Sequence, residues 1–245
     1  MLLGFLEGLN MEGLINALKY LAEHGPIDNF EEIRIRNSPI ELPSGLSNFE
    51  QNIFLKENLS PKLQNDDSLK THYWIIREWG GIKSFKQSTE NSQLVRQFLS
   101  ELNSGKLSIG LLKISSLSKL ASFIDCERFA IYDSRAIFSL NWLLFKFTNA
   151  DLFFQPQGRN RELEIRNMNV LFHFSDIKPN YRKPDVSFHQ YCGLLQDLAK
   201  QVYGKQAKPY HIEMLLFKIA TTWICADMDQ LIKFNCLRNQ DFQTA

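Results

Sequence analysis

The chain has 245 residues, 44% of them hydrophobic and 22% charged, with a formal net charge of +1. That length allows one generous domain or two modest ones sharing a core, and 19 Phe with four Trp exclude general disorder. A balance so near zero excludes a protein coated in basic residues, yet it leaves room for a local patch that holds a few phosphates.

The leading stretch "MLLGFLEGLNMEG" is apolar but carries Glu7 and Glu12 and has no basic start, so it does not read as a signal peptide. No uninterrupted apolar run reaches the ~18 residues of a membrane span. Cys126, Cys192, Cys225 and Cys236 stand far apart with no CxxC pair, which points away from a zinc site or a disulfide scaffold. The expectation is a soluble, cytoplasmic, monomeric protein with no membrane partner, no metal and no organic cofactor.

Leu14, Ile15, Leu18 and Leu21 share one helical face between Met11 and Glu23, and His24-Gly25-Pro26 stops that helix. In "EEIRIRNSPIELPSG", Ile33 and Ile35, then Ile40 and Leu42, alternate with polar neighbours. This predicts two short strands or an extended arm, punctuated by Pro39 and Pro43. From Leu46 to Lys70 the pattern is polar and loosely periodic, as at a boundary or an elaborated loop. After "HYWIIREWGG" the helical spacing strengthens, with Leu94, Val95, Phe98, Leu99 and Leu102 on one face before Asn103-Ser104-Gly105. Ile137, Leu140, Leu143, Leu144 and Phe147 mark a further helix over residues 133–147. A linker, "FFQPQGRNRELEIRN", precedes helices over 186–203 and 209–223, the second with Ile212, Leu215, Leu216, Ile219 and Trp223 inward. The fold class expected is mainly α with a minor β element near the N-terminus.

The stretch from Ser115 to Phe145 carries the candidate chemistry. With Ser116 or Ser118 as N-cap of a short helix ending near Ile124, Lys119 falls in the first turn. The positive end of the helix dipole repels a cation there and favours the neutral amine, the form that attacks a sugar carbon. Asp133 reads as the N-cap of the next helix, with Tyr132 before it and Ile137 after it as a hydrophobic staple. A carboxylate fixed in this way suits a developing oxocarbenium ion or an incoming proton. Taken singly, each residue also fits a plain structural role, as a solvated lysine and an ordinary cap.

Together, a tight turn, a lysine opening one helix and an aspartate capping the next resemble the helix-hairpin-helix DNA glycosylases, in particular the 8-oxoguanine DNA glycosylase-like proteins. The resemblance spans roughly Leu107 to Phe147. It implies a glycosylase-like helical bundle that takes up duplex DNA with a modified base and needs no cofactor. Lys119 would form the Schiff base with the deoxyribose, and Asp133 would assist glycosidic cleavage, with or without strand nicking. In the family the hairpin usually carries a Gly-x-Gly whose amides hold a DNA phosphate. The matching turn here is Ile114-Ser115-Ser116-Leu117-Ser118, so Ser115, Ser116 and Ser118 would take over the phosphate. The 14 positions from Lys119 to Asp133 are few for the family and require a compact loop. On this reading residues 1–70 form a helical and extended segment packing on the core, 71–152 the catalytic region, and 153–245 a helical region completing the other lobe.

Other residues divide between chemistry and scaffold. Arg135, and Arg159 and Arg161 in "GRNREL", either contact phosphate or are simply solvated, the latter two beside Glu162 and Glu164. Trp79-Gly80-Gly81 fits an ordinary turn, or a backbone that something approaches closely. His211 and Glu213 are pocket residues or plain helix-start groups, while Trp142 and Phe145 read as core rather than base-stacking residues. Two further functional readings stand beside the glycosylase. Arg166 and His173 resemble the Arg-x4–6-His motif of HEPN-type ribonucleases. The chain could also be a non-catalytic nucleic-acid- or protein-binding module on a glycosylase-like frame.

Overall fold

The computed structural model describes residues 11–29 and 35–232. Among them the chain is mainly helical and holds no β-strand; Leu152 and Tyr181 form an isolated parallel bridge. The first helix, α1 (Met11–His24), buries Leu14, Leu18 and Leu21 as the spacing predicts.

The expected β element does not form in the described part of its segment. Ile33 lies outside the described residues, whereas Ile35, Ile40 and Leu42 lean, partly buried, on the helical core. Local chemistry explains the difference: Pro39 and Pro43 remove ladder donors, and the Ser38 hydroxyl donates to the Ile40 carbonyl at 2.6 Å, turning the chain on itself. The polar stretch that reads as a loop instead forms α2 (Asn48–Asn58) and α3 (Ser60–Gln64). Ser47 and Glu50 make a reciprocal capping box, and Leu55, Leu59 and Leu63 bury a narrow apolar stripe.

Next come α4 (Lys70–Trp74), which runs into a π-helical turn at Ile75–Trp79, and α5 (Thr89–Glu101), capped by Ser88. Two well-formed helices follow, α6 (Ile114–Ile124) and α7 (Ser134–Phe147). The linker carries two short helices, α8 (Arg161–Ile165) and α9 (Met168–His173). The chain then forms α10 (Pro184–Tyr203) and α11 (Pro209–Ile219), a second π turn at Ala220–Ile224, and α12 (Cys225–Leu231). That π turn adds a residue to the helical repeat and rotates Trp223 outward, so the side chain expected in the core is 40% exposed.

Among the described residues one apolar cluster draws on all twelve α-helices, and α11 packs against both α7 and α10. Ser139 on α7 donates to the Leu216 carbonyl at 2.7 Å. Asn141 clamps the backbone of Phe153 from both sides, accepting its N–H at 2.9 Å and donating to its carbonyl at 2.7 Å. Trp142 is buried and Phe145 packs edge-on against Phe172, both as scaffold. Among the described residues no helix is long and apolar enough to cross a membrane.

Candidate active site

The lysine and the aspartate are held by a single device. Helix α6 starts at Ile114, launched by Lys113 in a left-handed conformation (φ 51°) shortly after Gly110 (φ +57°). The hairpin turn therefore precedes Ile114, and Ile114-Ser115-Ser116-Leu117-Ser118 are already helix. The reason is the apolar stripe, which buried Ile114 and Leu117 carry to the very start of the helix. Lys119 is accordingly the sixth residue of α6, beyond the first turn where the dipole acts.

Ser118 is fully buried, which removes it from any phosphate contact. Its hydroxyl oxygen instead accepts the Tyr132 N–H at 2.9 Å. The Tyr132 hydroxyl donates to the Phe154 carbonyl, and Tyr191 donates to the Ile131 carbonyl, each at 2.9 Å. The extended segment is thus tied to α6, to α10 and to the chain beyond α7. It delivers Asp133 to the N-cap of α7, where the carboxylate accepts the Arg135 N–H at 2.8 Å, as the capping pattern predicts. Since Ser118 adjoins Lys119 and Tyr132 adjoins Asp133, one hydrogen bond ties the two candidate residues together through the backbone.

Lys119 and Asp133 line the same cleft, of about 740 Å³. Its walls are the Trp79–Ile82 turn, the first half of α6, the start of α7, residues 157–160 and one face of α11. Ser115, Ser116, Arg135 and Arg159 also line it, and the Arg135 guanidinium stacks 4.5 Å from the Phe217 ring. Arg161 is exposed at the start of α8, outside the lining.

Gly80 shapes the lysine's course. A Cβ added there would stand 2.6 and 2.8 Å from Cδ and Cε of Lys119, so only glycine leaves room for the lysine stem. The Lys119 ammonium then lies 5.9 Å from the Trp79 ring, whose indole N–H donates to Asn52 at 2.7 Å. Gly81 supplies the turn itself (φ +68°). Both readings of that glycine pair hold, one for each residue.

Two charged residues complete the site, and one of them is invisible in the sequence pattern. Lys56 projects from α2 into the floor of the cleft, 3% exposed, where it donates to the Ser122 hydroxyl at 3.2 Å. Its ammonium lies 5.0, 5.3 and 6.0 Å from the rings of Phe123, Trp79 and Tyr210. The one available signal was the Ser47…Glu50 capping box, which marks a helix where the composition reads as loop. Glu213, the fifth residue of α11, is 5% exposed and takes the pocket alternative rather than the helix-start one. His211 instead caps α11, accepting the Lys208 N–H at 3.0 Å.

Burial pushes the Glu213 carboxyl up to about 7, against the pull of Lys56 and Lys119, while Asp133 adds to the rise. Burial likewise lowers the Lys56 amine; Glu213 opposes that shift and Lys119 reinforces it. Two lysines and two carboxylates therefore sense one another across a sheltered cleft, a setting typical of reactive sites.

Arg166 and His173 lie elsewhere. Asp229 and Glu162 occupy the Arg166 guanidinium at 2.7 and 2.8 Å, and His173 is exposed at the end of α9. Neither lines the cleft. Among the described residues no group of three or more His, Cys, Asp or Glu could hold a metal ion. No family model, no curated protein and no solved structure matches the chain.

Proposed function

We propose that the chain excises a modified base from duplex DNA, with Lys119 as nucleophile and Asp133 as the charge-stabilising carboxylate. What carries this reading is the placement of both side chains in one cleft, from successive helices locked together through Ser118 and Tyr132. The target nucleotide is flipped out of the stack to reach them. The Lys119 amine attacks C1′, the bond from C1′ to the base breaks, and the nearby carboxylate offsets the positive charge on the sugar. Arg135 and Arg159 on the cleft lining suit the flanking phosphates. A shallow groove lined by Lys70, Arg77, Lys83 and Lys86 adjoins the cleft at Glu78, which lines both, and offers a basic track for the strand beyond.

The test uses a duplex containing an abasic site. Borohydride reduces a Schiff base to a permanent protein–DNA link, so the wild-type protein cross-links and Lys119→Gln does not. If wild type fails to cross-link, the non-catalytic binding module replaces the enzyme. If cross-linking survives Lys119→Gln and disappears in Lys56→Gln, the nucleophile is Lys56, the second amine of the same cleft.

A further inference from the structure

Glu213 is a buried carboxyl of the cleft that the mechanism above leaves without a task. Its Oε2 atom is enclosed and has no hydrogen-bond partner, a state that is expensive for a buried carboxyl and calls for an explanation. From the elements packed around it, Lys56 on α2, Lys119 on α6 and Asp133 at the head of α7 act on it electrostatically, and it acts in turn on Tyr191 and Cys192 of α10. Among the described residues neither lysine closes a direct ion pair with it. The carboxyl therefore lines the same cleft as the reacting amine and stands within its electrostatic reach. Asp133 already has a task as the cap of α7, its carboxylate accepting the Arg135 N–H.

We infer that Glu213 is the proton-transfer group of the site, taking a proton from the Lys119 ammonium and returning it to the leaving group. This rests on the glycosylase reading. On an abasic sugar the steps balance as follows. The ammonium passes one proton through water to the Glu213 carboxylate, leaving a neutral amine and a carboxylic acid. The amine adds to the C1′ aldehyde carbon, and a proton moves from nitrogen to the former carbonyl oxygen, giving a carbinolamine. The Glu213 acid protonates its hydroxyl, water leaves, and the nitrogen lone pair forms the C1′=N iminium. Glu213 is a carboxylate again. On an intact nucleotide the departing base takes up that same proton in place of the hydroxyl. A group titrating near neutrality is matched to both directions of transfer.

The experiment measures the rate of borohydride trapping on an abasic duplex between pH 5 and pH 9. Wild type should accelerate as Glu213 ionises and level off above neutrality. Glu213→Gln should lose that break and trap about 10²-fold more slowly at pH 7. Lys56→Met should move the break upward, because it removes a cation that holds the Glu213 carboxyl down. A wild-type profile in Glu213→Gln overturns the role of Glu213 and leaves the glycosylase reading intact. Absence of trapping by wild type overturns both. Should Glu213→Gln fail to fold, as judged by circular dichroism, Lys56→Met decides: an unmoved break overturns the inference.

Discussion

Replacing Gly80 by Ala tests whether the course of the Lys119 side chain sets its reactivity. The backbone at Gly80 has φ −82°, which alanine adopts without strain, so the change is purely steric. The new methyl would stand 2.6 and 2.8 Å from Lys119 Cδ and Cε, where carbon atoms normally keep about 3.5–4.0 Å. The lysine stem must therefore retreat by about 1 Å, because the backbone carbonyl of Ile75, 2.9 Å from the same methyl, blocks relief on the other side. Crowding of this kind costs about 1–3 kcal/mol of stability. A 1 Å misplacement of a reacting group costs about 10²-fold in rate. Gly81→Ala is the matched control. Its neighbourhood is open, but its φ of +68° penalises alanine, so it should lose stability and keep its chemistry. Trapping rates on an abasic duplex and melting temperatures separate the two outcomes. If Gly80→Ala traps at the wild-type rate while remaining folded, the packing of Lys119 on the turn is irrelevant to reaction and the steric argument is wrong.

Ser118→Ala removes the acceptor of the Tyr132 N–H and strands a buried donor, so thermal or denaturant unfolding should show a loss of about 1–3 kcal/mol, accompanied by slower trapping as Asp133 drifts. Asp133→Asn should keep the cap and the stability yet slow base release, whereas Asp133→Ala should also cost about 1 kcal/mol; equal kinetics for aspartate and asparagine would remove the carboxylate's charge from the mechanism. Replacing both Lys70 and Lys86 by Ala should weaken duplex binding and flatten its dependence on salt, with log K against log[salt] shallower by about 2; an unchanged slope would place the DNA track elsewhere.

The helices with wide apolar faces were legible in the sequence. The spacing of Leu14, Leu18 and Leu21, and of Ile137, Leu140 and Leu144, marks sides that a helix must bury, and the structure buries them. Asp133 was legible too, because a capping residue declares itself by its place before an apolar repeat. Helix α2 was not, since its stripe is narrow and its remaining face is polar enough to pass for a loop. The start of α6 was misplaced for a related reason: serine is a preferred cap but not an obligatory one. Lys113, a residue with no capping side chain, occupies the junction in a left-handed conformation that sequence does not announce. Trp223 moved outward through a π turn, which a period of 3.6 cannot register.

Because α6 begins earlier than its serines imply, the role proposed for Lys119 cannot rest on a helix end and rests on the tertiary neighbours that share its cleft. Those neighbours are far apart in the chain: Lys56 on α2, Asp133 before α7 and Glu213 on α11. Burying such a set is costly, and replacing paired charges by apolar side chains of similar volume often leaves a protein as stable or more so. Stability accounts for Asp133, which caps α7, but gives no reason to bring Lys56, Lys119 and Glu213 to the same cleft, nor to keep a glycine at position 80 that lets one lysine lie flat against the turn. The proposed reaction does give a reason. It needs an amine held still, a carboxylate fixed beside the bond that breaks, and a nearby group that can take a proton and return it. Each of these falls to a different element of the fold, so the chemistry assembles only when the helices pack.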